Sequence, residues 1–237
     1  MLNYHCDKCN DTGIIEYVDT EGYQYVAPCS CVKTRNTLKN AERCGLGELL
    51  NIYTFARFET NLGFQKALYD NARAYLKETK NKWFTVLGRS GAGKSHICTA
   101  ICGNFLRRGY EVRFMSWIEE SRRLKARVND GAEYERIINP LKNAEVLYID
   151  DFFKSENNCP PTPADIKLAN EILNYRYNKG RASKSPLLTI ISSERELGKL
   201  VEYDEAICGR IVEMSGEYLN NLGKDAQNYR LKNYIKK

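Results

Sequence analysis

Gly88-Arg89-Ser90-Gly91-Ala92-Gly93-Lys94-Ser95 fits the phosphate-loop pattern G-x-x-x-x-G-K-[ST] without a mismatch. Trp83-Phe84-Thr85-Val86-Leu87 runs into it as a short apolar strand. Ile97-Cys98-Thr99-Ala100-Ile101-Cys102-Gly103-Asn104-Phe105-Leu106 leaves it with apolar residues at helical spacing. In a strand, glycine loop and helix of this kind the backbone N–H groups turn inward and the helix N-terminus adds partial positive charge, which makes an anion site. Lys94 would reach the β- and γ-phosphates, and the Ser95 hydroxyl would sit on Mg²⁺. The candidate nucleotide contacts are Gly88, Ser90, Gly91, Ala92, Gly93, Lys94 and Ser95, with His96 next along the helix. A chance glycine-rich turn is the competing reading, and the flanking strand and helix argue against it.

A phosphate loop needs an acidic partner for its metal. Val146-Leu147-Tyr148-Ile149-Asp150-Asp151 supplies an apolar strand ending in two carboxylates. Asp150 would hold Mg²⁺ with Ser95, and Asp151 would orient and deprotonate an attacking water. Leu187-Leu188-Thr189-Ile190-Ile191-Ser192-Ser193-Glu194 is a further apolar strand with a polar end, where Ser193 and Glu194 could sense the phosphate or simply lie in a solvated loop. Arg210, in the helical stretch Asp204 to Met214, is either a surface arginine or a finger that acts in a neighbouring subunit's site. Arg230 in Asn228-Tyr229-Arg230-Leu231-Lys232 is a second candidate.

The 237 residues have room for one full domain and a small one, and the 43% hydrophobic content supports a globular core. No apolar run approaches the ~20 residues of a membrane helix. The first residues lack a signal peptide's basic start and apolar stretch, so a cytoplasmic protein is expected. Strands at Phe84 to Leu87, Glu111 to Met115, Val146 to Asp150 and Leu188 to Ser192 alternate with helical patterns, notably Phe64 to Leu76 and Ala164 to Asn178. That alternation predicts an α/β fold, a parallel sheet with helices on both faces.

The segment before about Leu50 differs. Cys6-Asp7-Lys8-Cys9 and Cys29-Ser30-Cys31 flank a hairpin-like stretch with turns at Asp11-Thr12-Gly13 and Asp19-Thr20-Glu21-Gly22, and Lys33 to Leu50 reads as a basic helical connector. Nine cysteines, an odd number, argue against a complete disulfide framework. Four thiolates on two tight turns can close a tetrahedral Zn²⁺ site, so Cys6, Cys9, Cys29 and Cys31 are the candidate ligands. Such a site would stabilise a module too small for a sufficient core. Cys98 and Cys102 read as small packed residues.

In order along the chain, Gly88 to Ser95, Leu147-Tyr148-Ile149-Asp150-Asp151-Phe152-Phe153-Lys154, Asn174-Tyr175-Arg176-Tyr177, Thr189 to Ser193, Asp204 to Arg210 and Asn228 to Leu231 resemble the AAA+ ATPases of the DnaC/DnaI helicase-loader type, particularly their phage relatives, within the IstB-like ATP-binding family. The resemblance runs from roughly Tyr53 to the C-terminus. It implies an AAA+ domain with a parallel five-stranded sheet flanked by helices over 46–237; the chain ends soon after Arg230, so no helical lid is expected, and the cysteine spacing puts a zinc-binding β-hairpin module before it over 1–45. It implies that Lys94 and Ser95 are the Walker A residues, Asp150 and Asp151 the Walker B pair and Arg210 the finger, with ATP or ADP and Mg²⁺ bound. The chain departs from the family pattern at Asp151, where Glu is common, and at Glu194, where a sensor Asn would stand, so Ser193 is the preferred sensor.

In this type of loader the zinc module contacts the replicative helicase, and the ATPase domain self-associates and meets single-stranded DNA. Ser121-Arg122-Arg123-Leu124-Lys125-Ala126-Arg127 and the basic tail are candidate DNA-binding surfaces. A solvated helix face explains each cluster as well. The leading expectation is an ATP-dependent loader of a DnaB-type hexameric helicase. An IstB-type transposition helper and a zinc adaptor with little hydrolysis are the alternatives.

Overall fold

The computed structural model describes residues 6–10, 12–78, 82–155, 157, 159–182, 187–223, 226 and 228. Strands β1 (Ile14–Val18) and β2 (Gln24–Pro28) form an antiparallel hairpin, with Ile14 opposite Pro28 and Val18 opposite Gln24. Helix α1 (Cys31–Arg43) follows at once, then the short α2 (Leu49–Ile52), a 3₁₀ turn at Phe55–Arg57 and α3 (Gly63–Tyr75). The large layer then alternates β3 (Phe84–Gly88), α4 (Lys94–Arg107), β4 (Val112–Ser116), α5 (Trp117–Lys125), α6 (Gly131–Asn143), β5 (Val146–Asp150), α7 (Pro163–Ala182) and β6 (Leu188–Ser193). It closes with α8 (Leu197–Tyr203), α9 (Glu205–Ser215) and β7 (Leu219–Leu222).

The expected five-stranded parallel sheet is present, in the order β4-β5-β6-β3-β7. Four of its strands lie where the apolar runs predict them. The fifth, Leu219-Asn220-Asn221-Leu222, carries no apolar alternation and is found only because it pairs with the edge of β3.

Period-two alternation divides the core into two layers. Val146 and Tyr148 of β5, with Phe84, Val86 and Ile190, face α3 and α4; Cys98 and Cys102 are buried among them, as expected of small apolar packing residues. Leu147 and Ile149, with Leu87 and Ile191, face α6, α7 and α9. Among the described residues no helix is long and apolar enough to cross a membrane.

Arg176 of α7 fastens the second layer. Its side chain is 0% exposed, and among the described residues its hydrogen-bond partners are a hydroxyl and carbonyls rather than a carboxylate. Nε donates to Thr189 Oγ1 at 3.0 Å, Nη1 to the carbonyls of Leu141, Lys142 and Ala144, and Nη2 to Leu188 O at 2.7 Å. One guanidinium thus ties the end of α6 and the starts of β5 and β6 to α7. At the other end of α7, Asp165 accepts from Lys125 Nζ at 2.6 Å and from the Thr162 hydroxyl and N–H. Burial opposes the charge on Asp165, but these bonds outweigh it and hold its pKa below the usual carboxylate value.

Arg176→Met is expected to leave buried carbonyls without their donor and to lower stability by about 1–3 kcal/mol for an unsatisfied group, read by urea titration. Asp165→Asn should lower the melting temperature at pH 7. A depressed carboxyl pKa contributes stability above the unfolded value near ~3.9 and loses it as pH falls. The gap between wild type and variant should therefore narrow as pH falls below the unfolded value and close once pH lies below the lowered folded-state value.

Candidate active site

The glycine loop leaves β3 and enters α4 by a path that side chains would block. Gly88 has φ +121°, and a Cβ there would lie 2.2 Å from Leu222 O of β7. Gly91 has φ +76°, and its Cβ would meet Asn228 Oδ1 at 1.9 Å. Gly93 is the N-cap of α4, so the helix N-terminus opens onto the loop. Beside it lies a cleft of about 280 Å³ lined by Ser90, Gly91, Gly93, Lys94, Ser95 and His96, by Asp151, Lys154 and Glu194, and by Tyr53, Arg57, Phe58, Glu59 and Gln65. Gly88 and Ala92 do not line it. The first makes room for β7, and the second packs in the core.

Lys94 Nζ donates to Arg89 O at 2.8 Å. Burial lowers its pKa, while the charges of Glu194, Asp151 and Asp150 act in the opposite sense. Ser95 Oγ donates to Asp150 Oδ1 at 3.0 Å. The same oxygen accepts from Tyr148 OH at 2.6 Å and from Ser192 Oγ. The serine and the carboxylate brought together here are hard oxygen donors beside the anion loop, a set that suits Mg²⁺.

Asp151 follows in the left-handed region at φ +54°, its N–H donating to Ser192 Oγ at 3.1 Å. Its Oδ2 accepts from Lys154 Nζ at 2.9 Å, and Lys154 also reaches Glu194 Oε1 at 3.2 Å. Burial works against the ammonium of Lys154, yet its bonds and charge pairing with Asp151 and Glu194 hold its pKa above the usual lysine value. For Glu194, burial is likewise outweighed, by hydrogen bonds from Ser90 and Lys154 and the charges of Lys154 and Lys94, and the pKa falls.

Ser193, the sensor preferred from sequence, is turned away from this cleft. It is fully buried, its Oγ donates to Phe152 O at 2.7 Å and it accepts the Arg195 N–H. Strand parity is the reason. On β6 the neighbouring Ser192 points to Asp150, Ser193 takes the other face, and Glu194, just past the strand, comes back to the cleft.

Arg210 lies on α9 over the Tyr177 ring, 5.9 Å from its centroid, and does not line its own chain's cleft. Arg230 lies outside the described residues. His96 Nε2 donates to Thr54 O at 2.8 Å, and its ring stacks on Tyr53 at 4.9 Å and meets Phe58 edge-on at 5.1 Å. Burial keeps its pKa below the usual histidine value, so it is neutral at pH 7.

Sequence reading gave no role to Lys154 or to Tyr53, Arg57, Phe58 and Glu59. The lysine's spacing three residues past Asp151 was the one available signal. The aromatic segment read only as a lead-in to α3.

In the N-terminal hairpin the Sγ atoms of Cys6, Cys9, Cys29 and Cys31 all lie within 4.8 Å of one another, and all four residues are buried. Cys6 and Cys29 are 3.8 Å apart and Cys9 and Cys31 3.4 Å. A tetrahedron of Zn–S bonds near ~2.3 Å requires S···S separations of about 3.8 Å, so the donor set fits zinc. Burial disfavours thiolate at Cys9, but hydrogen bonds from the Gly13 N–H and the neighbouring thiols bring its pKa down to about 7.

A phosphate loop on β3, between β6 and the edge strand β7 of a five-stranded parallel sheet, facing the Asp-Asp end of β5 across the one intervening strand, makes an AAA+ P-loop fold. The chain belongs to the family of IstB-like ATP binding proteins, which it matches over residues 37–213. It is 32% identical over 229 residues to the phage-like element PBSX protein XkdC of Bacillus subtilis (strain 168), spanning 91% of this chain and 81% of that protein. To the replicative helicase loader DnaC of Escherichia coli (strain K12) it is 26% identical over 157 residues, 65% of this chain and 61% of that one. Among solved structures, that of the DnaC helicase loader superposes with a TM-score of 0.60 at 20% identity, covering 70% of this chain and 95% of that chain. That of DnaI superposes at 0.57 and 21%, covering 73% and 90%. At these identities the structural likeness speaks for the fold alone. The cysteine cluster precedes the matched family segment.

Metal analysis of the purified chain should find one Zn²⁺ per molecule, and a Cys9→Ser/Cys31→Ser variant should lack it. Full occupancy in that variant would remove these four residues as the ligands.

Proposed function

We propose that this chain is an ATPase that loads a replicative hexameric DNA helicase onto single-stranded DNA in the cytoplasm. The carrying observation is the convergence of Lys94, Ser95, Asp150 and Asp151 at the mouth of one loop. Similarity to the protein named replicative helicase loader DnaC gives the direction of the work. We assign residues 1–45 to a zinc module that grips the helicase and 46–237 to the ATPase domain.

In this reading the loop N–H groups and Lys94 hold the β- and γ-phosphates of ATP. Tyr53, Phe58 and His96 give the other part of the cleft aromatic surface against which a base can stack. Ser95 and Asp150 would hold Mg²⁺, which neutralises phosphate charge when bound. Asp151 accepts a proton from water as the water oxygen bonds to the γ-phosphorus. The bond from that phosphorus to the β–γ bridging oxygen breaks, and ADP leaves with the electron pair. Arg210 is half-buried, does not line its own chain's cleft, and its Nη1 makes no hydrogen bond among the described residues, so its guanidinium is not fully committed to a partner within the chain. Arg210 therefore serves the neighbouring subunit's site in an ATP-dependent oligomer, with Arg230 as the reserve candidate.

Capture of the replicative helicase by the full chain, lost on removal of the cysteine ligands, tests the partner; failure to bind it sinks the loader reading and leaves the transposition helper. Lys94→Ala should abolish tight ATP binding, and Asp151→Asn should bind ATP but not hydrolyse it. Arg210→Ala should lose on the order of 10³-fold in turnover on assembly. A mixture of Arg210→Ala with Lys94→Ala should recover activity. Full activity of Arg210→Ala alone would remove it from the mechanism.

A further inference from the structure

Lys154 stands between two cavities. Its ammonium bridges Asp151 and Glu194 in the nucleotide cleft, and the same side chain lines an adjoining cleft of about 330 Å³ whose wall carries Trp117, Ser155, Thr162 and the Asp165 carboxylate along with two other cations, Arg122 and Lys125. We propose that Lys154 is a positioning residue for hydrolysis, a retractable cation that masks the Asp151 carboxylate and releases it by swinging into the adjoining cleft. The proposal rests on the ATPase reading of the site.

Three observations carry it. The ammonium sits on the group the chemistry needs: Nζ donates to Asp151 Oδ2 at 2.9 Å, so its charge stabilises the carboxylate and its bulk takes a place that a water would occupy beside that oxygen. The pairing is easily broken: the side chains of Lys154, Asp151 and Glu194 are 33%, 32% and 29% exposed, so solvent screens both contacts. Swinging out leaves the backbone intact, because the turn is closed independently by the Lys154 N–H to Asp151 O bond at 2.9 Å. Asp151 meanwhile stays aimed at the cleft, held by its own N–H bond to Ser192 Oγ. A lysine with an open cavity on one side and two carboxylates on the other has two places to be, and only one of them leaves the base exposed.

Lys154→Met keeps the side-chain length and removes the charge. The full chain carrying it should hydrolyse ATP faster than wild type in the absence of partners. The rise in kcat should be about three- to tenfold, part of the ~10²–10⁴-fold a positioned base supplies, with KM within about twofold of wild type. Lys154→Arg should restore the low rate, and Asp151→Asn/Lys154→Met should be as slow as Asp151→Asn. A Lys154→Met protein that melts normally, binds a fluorescent ATP analogue and yet turns over at the wild-type rate or below would overturn the proposal. Should wild type and Lys154→Met both fail to bind the analogue, or Asp151→Asn hydrolyse at the wild-type rate, the ATPase reading itself is overturned and the proposal with it.

Discussion

One carboxylate oxygen, Asp150 Oδ1, gathers hydroxyls from Ser95 on α4, Tyr148 on its own strand and Ser192 on β6. A charged acceptor in a partly dry site makes stronger bonds than a neutral one. The interaction therefore sets where the glycine loop's helix sits relative to the two strands beside it. The left-handed residue that follows, the Lys154 turn and the return of Glu194 to the cleft are all placed by strands whose ends meet at this point. The Tyr148 hydroxyl, its pKa raised far by burial, keeps its proton and stays a donor to that oxygen.

Most of the fold is legible in the sequence because its strands and helices bury one face each and so carry a period. β3, β4, β5 and β6 read as apolar runs, and α3 and α7 lie within a few residues of the spans their spacing predicts. β7 escapes because it sits at the sheet edge and is held by main-chain pairing to β3, with two asparagines at its centre. The basic stretch read as a connector is instead joined to the sheet. Phe114 N–H donates to Cys44 O at 2.7 Å, and Arg113 Nη1 reaches Arg43 O at 3.0 Å.

The candidate site is legible where a motif fixes backbone and side chain together, and less so where it depends on which way a side chain turns. Ser95 and Asp150 meet as their motifs require. Ser192 and Ser193 are chemically identical, and only strand parity tells them apart. The polar end of a strand gives the composition of that parity choice but not its phase. Tyr53, Phe58 and His96 assemble from segments some forty residues apart, as the Thr54–His96 bond shows, and no local pattern announces such a meeting.

Helix α1 begins at a cysteine of the N-terminal cluster, and its far end is bonded to the edge strand β4. Thirteen helical residues make a strut about 20 Å long. A load on the hairpin is then borne along that strut as a lever arm, and its torque falls on β4, which pairs with β5 up to Ser116 opposite Asp150. The cysteine module and Asp150 thus lie at the two ends of one continuous path of helix, main-chain bond and paired strands.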